Sequence, residues 1–228
     1  MPHQFENSRD RYGMVAQALH WTVALLIVGA FAAVYFRNWF TDAGTGRNLA
    51  ALQLHLSIGL SVVVFAGLRL WWRQRSRTMP DELPGSRLEH AASRAVHTAL
   101  YSLMIAMPVT GYLGTGVDTE FFGIVTVPRF ADTPLFDVVV IRGMGLTFEE
   151  FEQPIDWLHK ALGEALVLAL VGIHVAAALF HQYVRRDGVM QRMLPRTERN
   201  AHEPESGHVQ MSANATTPQQ SPVRFEQG

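Results

Sequence analysis

Three histidines, at positions 159, 174 and 181, stand in the stretch Trp157 to Tyr183, WLHKALGEALVLALVGIHVAAALFHQY, which is otherwise apolar and helix-forming. Imidazole can ligate a transition metal, relay protons near neutral pH or hydrogen-bond a bound carbonyl group. In an α-helix that rises ~1.5 Å and turns ~100° per residue, the fifteen steps from His159 to His174 cover ~22 Å and leave the rings ~60° apart in azimuth. One imidazole then lies near each face of a hydrocarbon layer ~30 Å thick. Ionisable residues at such depth are expensive and are functional candidates by default. Two metal or haem centres stacked across a membrane match this geometry, and other helices must supply the remaining ligands.

The elements available for that task are four apolar windows, residues 14–36, 49–72, 91–113 and 157–183. Each exceeds the ~20 residues that a spanning helix needs. The 228 residues are 48% hydrophobic and 17% charged, with mean hydropathy +0.07 because polar segments dilute the apolar blocks. Arg9 and Arg11 precede an apolar run containing Ala30-Phe31-Ala32, but the run continues to Phe36 and is too long for a signal-peptide core. It is expected to remain as the first helix. Zero cysteines exclude disulfides, covalent c-type haem attachment and cysteine-bound iron–sulfur clusters. There is no phosphate-binding loop, dinucleotide fingerprint, serine nucleophile motif or internal repeat, and no nucleic-acid partner is expected.

Arginine placement orients the windows. Arg73, Arg75, Arg77 and Arg87 lie between the second and third, and Arg185, Arg186, Arg192, Arg196 and Arg199 follow the fourth. The other side carries Arg37, Arg47, Arg129, Arg142 and Lys160 among several acids. An excess of positive charge marks the cytoplasmic side, so both termini are expected there. Antiparallel helices then sort the histidines by depth. His55 and His159 share the outer level, and His20 and His174 the inner one. Each level offers two imidazoles from different helices, which is what a six-coordinate haem b requires. A flat porphyrin also needs small neighbours, and Ala24, Gly59, Gly163 and Ala178 follow these four histidines by one helical turn.

His97 and His181 fall at the inner level without that pattern. They suit hydrogen bonding to a quinone and proton supply to its reduction. Arg69, fourteen residues after His55, sits at similar depth and is expected to pair with an inner haem propionate. Pro108 and Gly111 predict a kink in the third helix. Between Gly114 and Pro154 runs a long outer segment, whose apolar runs 121–127 and 136–141 read as short strands or interfacial pieces. Residues 1–13 are expected to form a polar, mobile cytoplasmic segment, residues 14–196 the four-helix domain, and residues 197–228, rich in Glu, Ser, Gln, Pro and Thr, a disordered cytoplasmic tail.

Several of these residues carry a family resemblance. His159-Lys160, the run His174-Val175-Ala176-Ala177-Ala178-Leu179-Phe180-His181-Gln182-Tyr183, Arg186-Asp187-Gly188 and Arg192-Met193-Leu194-Pro195 resemble the C-terminal signature of bacterial cytochrome b561. Leu19-His20-Trp21, His55 with Gly59 and Arg69, and His97 with Ile105-Ala106-Met107-Pro108-Val109-Thr110-Gly111 add to the likeness, which covers roughly residues 9 to 196. It implies an all-α integral membrane protein, a four-transmembrane-helix bundle holding two haems b, with axial pairs His20–His174 and His55–His159. A superoxide oxidase branch of that family passes electrons from periplasmic superoxide to ubiquinone, with positions matching His97 and His181 near the quinone.

Two features depart from the family pattern, the long acidic outer segment and the polar C-terminal extension. Superoxide is an anion, so its entry calls for Lys160, Arg129, Arg142 or Arg47 to cluster at the outer haem edge. The sequence therefore predicts a multi-pass protein of the bacterial cytoplasmic (inner) membrane, in contact with lipid, that takes electrons from superoxide or a periplasmic donor protein to ubiquinone. The alternatives are a cytochrome b subunit linking quinone to a periplasmic partner such as a hydrogenase or another dehydrogenase, and a histidine-lined metal transporter without haem.

Overall fold

The computed structural model describes residues 4–195, so the expected tail lies outside the described residues. Four long antiparallel helices dominate it: α1 (Met14–Phe40), α2 (Gly46–Arg75), α3 (Arg87–Leu113) and α4 (Phe148–Arg185). All four are long and apolar enough to cross a membrane, with windows of mean hydropathy 1.9, 2.0, 1.2 and 2.1. Each outruns its apolar window because polar residues extend its ends. Thr45 caps α2, and reciprocal capping boxes, Ser86 with Glu89 and Thr147 with Glu150, start α3 and α4. Each box satisfies backbone donors that the first helical turn leaves open.

Few large side chains are sealed inside. Val23, Val62, Ala66 and Met104 form the main contact among α1, α2 and α3, flanked by Leu26, Ile27, Phe65 and Tyr101. Leu25, Val28, Val64 and Ile173 are 54–70% exposed, as expected where the solvent of these faces is lipid. Trp39 and Trp157 stand out at 71% and 69% exposure near the same end, where aromatic rings favour the membrane–water boundary.

α4 is not uniform. Leu162–Val167 and His181–Arg185 adopt wide π turns within an otherwise α-helical rod. A π bulge counts as roughly one inserted residue, so the ~60° offset expected between His159 and His174 becomes ~40° in the opposite sense. Both rings still face the same side of α4.

The α3–α4 connection is folded. A two-stranded hairpin, β1 (Thr119–Phe121) with β2 (Val125–Val127), matches the strand reading of the first apolar run. The second run, 136–141, is helical, a correction to the strand option. Thr133 caps this piece, Pro134 starts it, and Gly145 ends it in the left-handed region at φ 71°. Phe130, Phe136 and Val140 pack there against Tyr112, Leu113, Leu146, Phe148 and Phe151 as a second small core. The two arginines of this region are paired, Arg129 with Asp132 at 2.9 Å and Arg142 with Asp137 at 2.7 Å. The hydrogen bonds from Arg129 hold the Asp132 carboxyl below its usual range.

At the opposite end, residues expected to be mobile are tied down. The Arg11 guanidinium donates to the Leu194 carbonyl at 2.6 Å, and Trp21 Nε1–H to that of Met193 at 2.8 Å. The Gln17 amide donates to Tyr12 and Arg192 carbonyls, and the Arg192 guanidinium to the Asp81 carbonyl at 2.6 Å. Gly13 sits so close to the carbonyl oxygens of Phe5 and Glu6 that no side chain fits there.

Candidate functional site

Two imidazole pairs stand at two levels of the bundle. His55 on α2 faces His159 on α4 with ring centroids 6.2 Å apart, and His20 on α1 faces His174 on α4 at the same 6.2 Å. All four rings are half-buried. Metal–imidazole bonds of ~2 Å, with ~1.1 Å from each bonding nitrogen to its ring centre, put the rings of a trans pair ~6 Å apart. Both pairs fit that span. His97 approaches His174 at 5.3 Å, too close for a trans partner across an ion, and its Nδ1 is engaged by the Ser93 carbonyl at 2.8 Å.

The surroundings of the first pair fix which nitrogen is presented. His55 Nδ1 lies 2.9 Å from the Ala30 carbonyl, and His159 Nδ1 lies 3.0 Å from the Met107 carbonyl and 3.1 Å from Thr110 Oγ1. A carbonyl accepts from Nδ1–H, so the tautomer leaves Nε2 as the basic, ligating atom on both rings. Pro108, inside α3, has no N–H to give the Met104 carbonyl one turn earlier, and Gly111, one turn after Met107, lets the ring approach: a Cβ there would lie 3.0 Å from His159 Cε1. In the second pair His20 Nδ1 is buried without a hydrogen-bond partner among the described residues. An orphaned buried nitrogen costs ~1–3 kcal/mol unless a ligand or a ring flip engages it. Two imidazoles per level also suit a macrocycle, which brings its own equatorial donors; among the described residues no group of three or more His, Cys, Asp or Glu is set to hold a bare metal ion.

The remaining predicted positions separate. A Cβ on Gly59 would meet nothing within 4 Å, so open space lies beside that turn of α2. Gly163 instead packs on α3, where a Cβ would lie 3.2 Å from the Met107 methyl, which places it in a helix–helix contact. Arg69 stacks on the Tyr101 ring at 5.1 Å, within electrostatic reach of His20, His97 and His174. His181 is bound to Asp187 at 2.5 Å, and Asp187 also receives the Val189 N–H. Of the cations whose clustering superoxide entry would call for, Lys160 is held by Asp156 at 2.6 Å, Arg129 and Arg142 by their aspartates, and Arg47 lies 5.9 Å over the Phe36 ring.

Sequence reading missed Asp187 and Thr110 as partners of site histidines, although both stand in the motifs that carry the resemblance. It also passed over Glu164, an exposed carboxylate on the first wide turn of α4, whose apolar setting was a signal in itself.

Known proteins resemble the chain over most of its length. The sequence model of one family, prokaryotic cytochrome b561, matches residues 11–196. The chain is 30% identical over 201 residues to cytochrome b561 homolog 2 of Escherichia coli (strain K12), covering 83% of this chain and 94% of that protein. It is 25% identical to cytochrome b561 homolog 1 of the same organism, over 82% of this chain and 98% of the relative. A probable superoxide oxidase of Yersinia pestis is 24% identical, over 82% and 97% of the two chains.

Proposed function

Because the chain belongs to the prokaryotic cytochrome b561 family, a group of membrane electron-transfer proteins that bind haem b, we propose that it is a di-haem cytochrome reducing ubiquinone across the cytoplasmic membrane, with superoxide as the electron donor. The observation that carries this reading is the repeated 6.2 Å spacing of His55–His159 and His20–His174 at two levels of one bundle. When bound, haem b at each level supplies one-electron iron chemistry and so a path for electrons through the low-dielectric layer.

The chain's own residues do the rest. Ala30, Met107 and Thr110 hold the His55 and His159 rings so that Nε2 points into the site. Gly59 leaves room beside them, and Arg69 offers a guanidinium to a propionate at the other level. Reduction of a quinone to its quinol consumes two electrons and two protons. His97 and His181 lie on the side that carries the arginine excess, and are placed there to hydrogen-bond the quinone carbonyls and deliver protons. Asp187 orients the His181 ring through its Nδ1. The arginine distribution makes that side, with both termini, cytoplasmic.

The paired state of Lys160, Arg129 and Arg142 favours a second reading for the donor alone. Little positive potential is left to steer a small anion, and a periplasmic redox protein docking on the α3–α4 connection replaces superoxide in that version.

Replacing His55 or His159 by Ala is expected to remove one b-type centre and leave the other, and replacing His20 or His174 to do the reverse. His97→Ala should keep both. Loss of a centre in His97→Ala with retention in His20→Ala would refute the pairing. Anaerobic addition of a superoxide pulse, followed spectroscopically and then by addition of a ubiquinone analogue, tests the donor and the acceptor. A centre that stays oxidised after the pulse excludes superoxide.

A further inference from the structure

We infer that the β1–β2 hairpin is a re-entrant element lying within the hydrocarbon layer beside α2, with lipid acyl chains as its outward partner. The Gln53 amide donates to the Asp118 carbonyl at 2.8 Å and its oxygen accepts the Glu120 N–H at 2.8 Å. Ser57 Oγ donates to the Glu120 carbonyl at 3.2 Å and accepts the Phe122 N–H at 3.1 Å. Gln53 and Ser57 flank His55 on α2, so the hairpin runs down that helix past the level of the His55–His159 pair.

That level is inside the membrane. Centring a layer ~30 Å thick on the thirty residues of α2 puts its boundary near Ala50 and Ser57 ~10 Å within it. Non-helical backbone at such depth is tolerated only where protein groups satisfy it. The edge of β1 that faces α2 is satisfied by Gln53 and Ser57 and its other edge by β2, the Pro128 carbonyl accepts from Tyr112 Oη–H at 3.0 Å, and within the two strands the outward N–H and C=O are confined to Thr126.

The tip has the chemistry that lipid selects. Phe122, Ile124 and Val125 are 49%, 79% and 56% exposed, and Glu120 is the one charged residue from Thr119 to Val127. Glu120 lines a trough of about 380 Å³ that reaches Gly46 at the start of α2, which gives its carboxylate a route towards the headgroup region. Phe122 also adopts φ 47°, a left-handed conformation that is strained for a bulky residue and that Gly or Asn adopts more easily. An aromatic ring held there by Ser57 presents apolar surface to its surroundings at the expense of backbone ease.

The chain has no cysteine, so a single introduced thiol reports one position. Ile124→Cys, spin-labelled in the full-length protein in phosphatidylethanolamine–phosphatidylglycerol vesicles, is compared with Asp42→Cys in the α1–α2 turn and Val28→Cys on the exposed face of α1. Preferential collision with oxygen over a water-soluble nickel chelate, several-fold above the Asp42 position and close to the Val28 position, is expected. A ratio like that of Asp42 overturns the proposal in favour of a water-exposed loop. Low collision with both reagents overturns it in favour of a covering protein. Val125→Cys must give the same answer, and adding Gln53→Ala with Ser57→Ala must shift the ratio towards the aqueous value.

Discussion

Gly111→Ala concentrates the logic of the outer imidazole pair in one methyl group. A Cβ at this position would stand 3.0 Å from His159 Cε1 and 3.3 Å from its Nδ1. Carbon contacts settle at ~3.5–4.0 Å, so the ring must retreat by ~0.5 Å or more. It cannot retreat freely, because Nδ1 is held by the Met107 carbonyl at 3.0 Å and by Thr110 at 3.1 Å. Overfilling a packed site costs ~1–3 kcal/mol. If half to all of that falls on the ligated state, the His55–His159 site is expected to bind its cofactor roughly 2- to 140-fold more weakly, at ~1.4 kcal/mol per factor of ten. Titrating cofactor-free protein with haem b in a His20→Ala background, where only this site remains, reads the change directly. Unchanged affinity would refute both the role of Gly111 and the assignment of His159 as a ligand.

Gly59→Ala makes the complementary case: its Cβ meets nothing in the protein, so the melting of the cofactor-free chain should stay unchanged while occupancy of the same site falls, and unchanged occupancy excludes Gly59 from the pocket wall. Burial raises the Asp187 carboxyl, but hydrogen bonds from His181 and the Val189 N–H, with Arg185 nearby, outweigh it and hold the group below its usual range. A depressed carboxylate contributes stability above its unfolded value of ~3.9, and loses it as pH falls through the lower folded value. Hydrogen exchange should therefore show the Val189 amide protected at neutral pH and opened in acid, whereas Asp187→Asn leaves it open throughout; equal protection in both proteins rules the carboxylate out as the anchor. In the same variant quinone reduction should slow several-fold with the b-type spectrum intact, and an unaltered rate removes His181–Asp187 from proton delivery.

Much of this architecture was legible because membranes simplify the code. Twenty apolar residues in a row admit few structures, and histidines within them sort by depth from the helical rise alone. That is why His20, His55, His159 and His174 could be paired before any contact was known. What stayed hidden depends on contacts between distant segments. Asp187 lies six residues beyond His181, and only a wide turn followed by a left-handed Arg186 at φ 54° swings it back. Thr110 meets His159 across two helices, forty-nine residues apart. Gly163 shares the one-turn spacing of Gly59 yet packs on Met107, because small residues serve helix contacts as readily as cofactor pockets. Residues 5–13 are polar and uncapped and carry no periodic signal, so their attachment to residues 190–194 could not be read.

That attachment sets an order of events during biosynthesis. Trp21 and Arg11 leave the ribosome with the first helix, but their partners Met193 and Leu194 follow 172 and 183 residues later. At ~5–20 residues per second the delay is roughly 10 to 35 s. His20 waits through it with neither its facing imidazole nor the strap that closes over its end, and His55 waits likewise for α4. On the di-haem reading both sites are completed by α4, the last of the four long helices among the described residues, so cofactor loading is expected to be a late, post-insertion step, and a truncated chain lacking α4 is expected to mature at neither level.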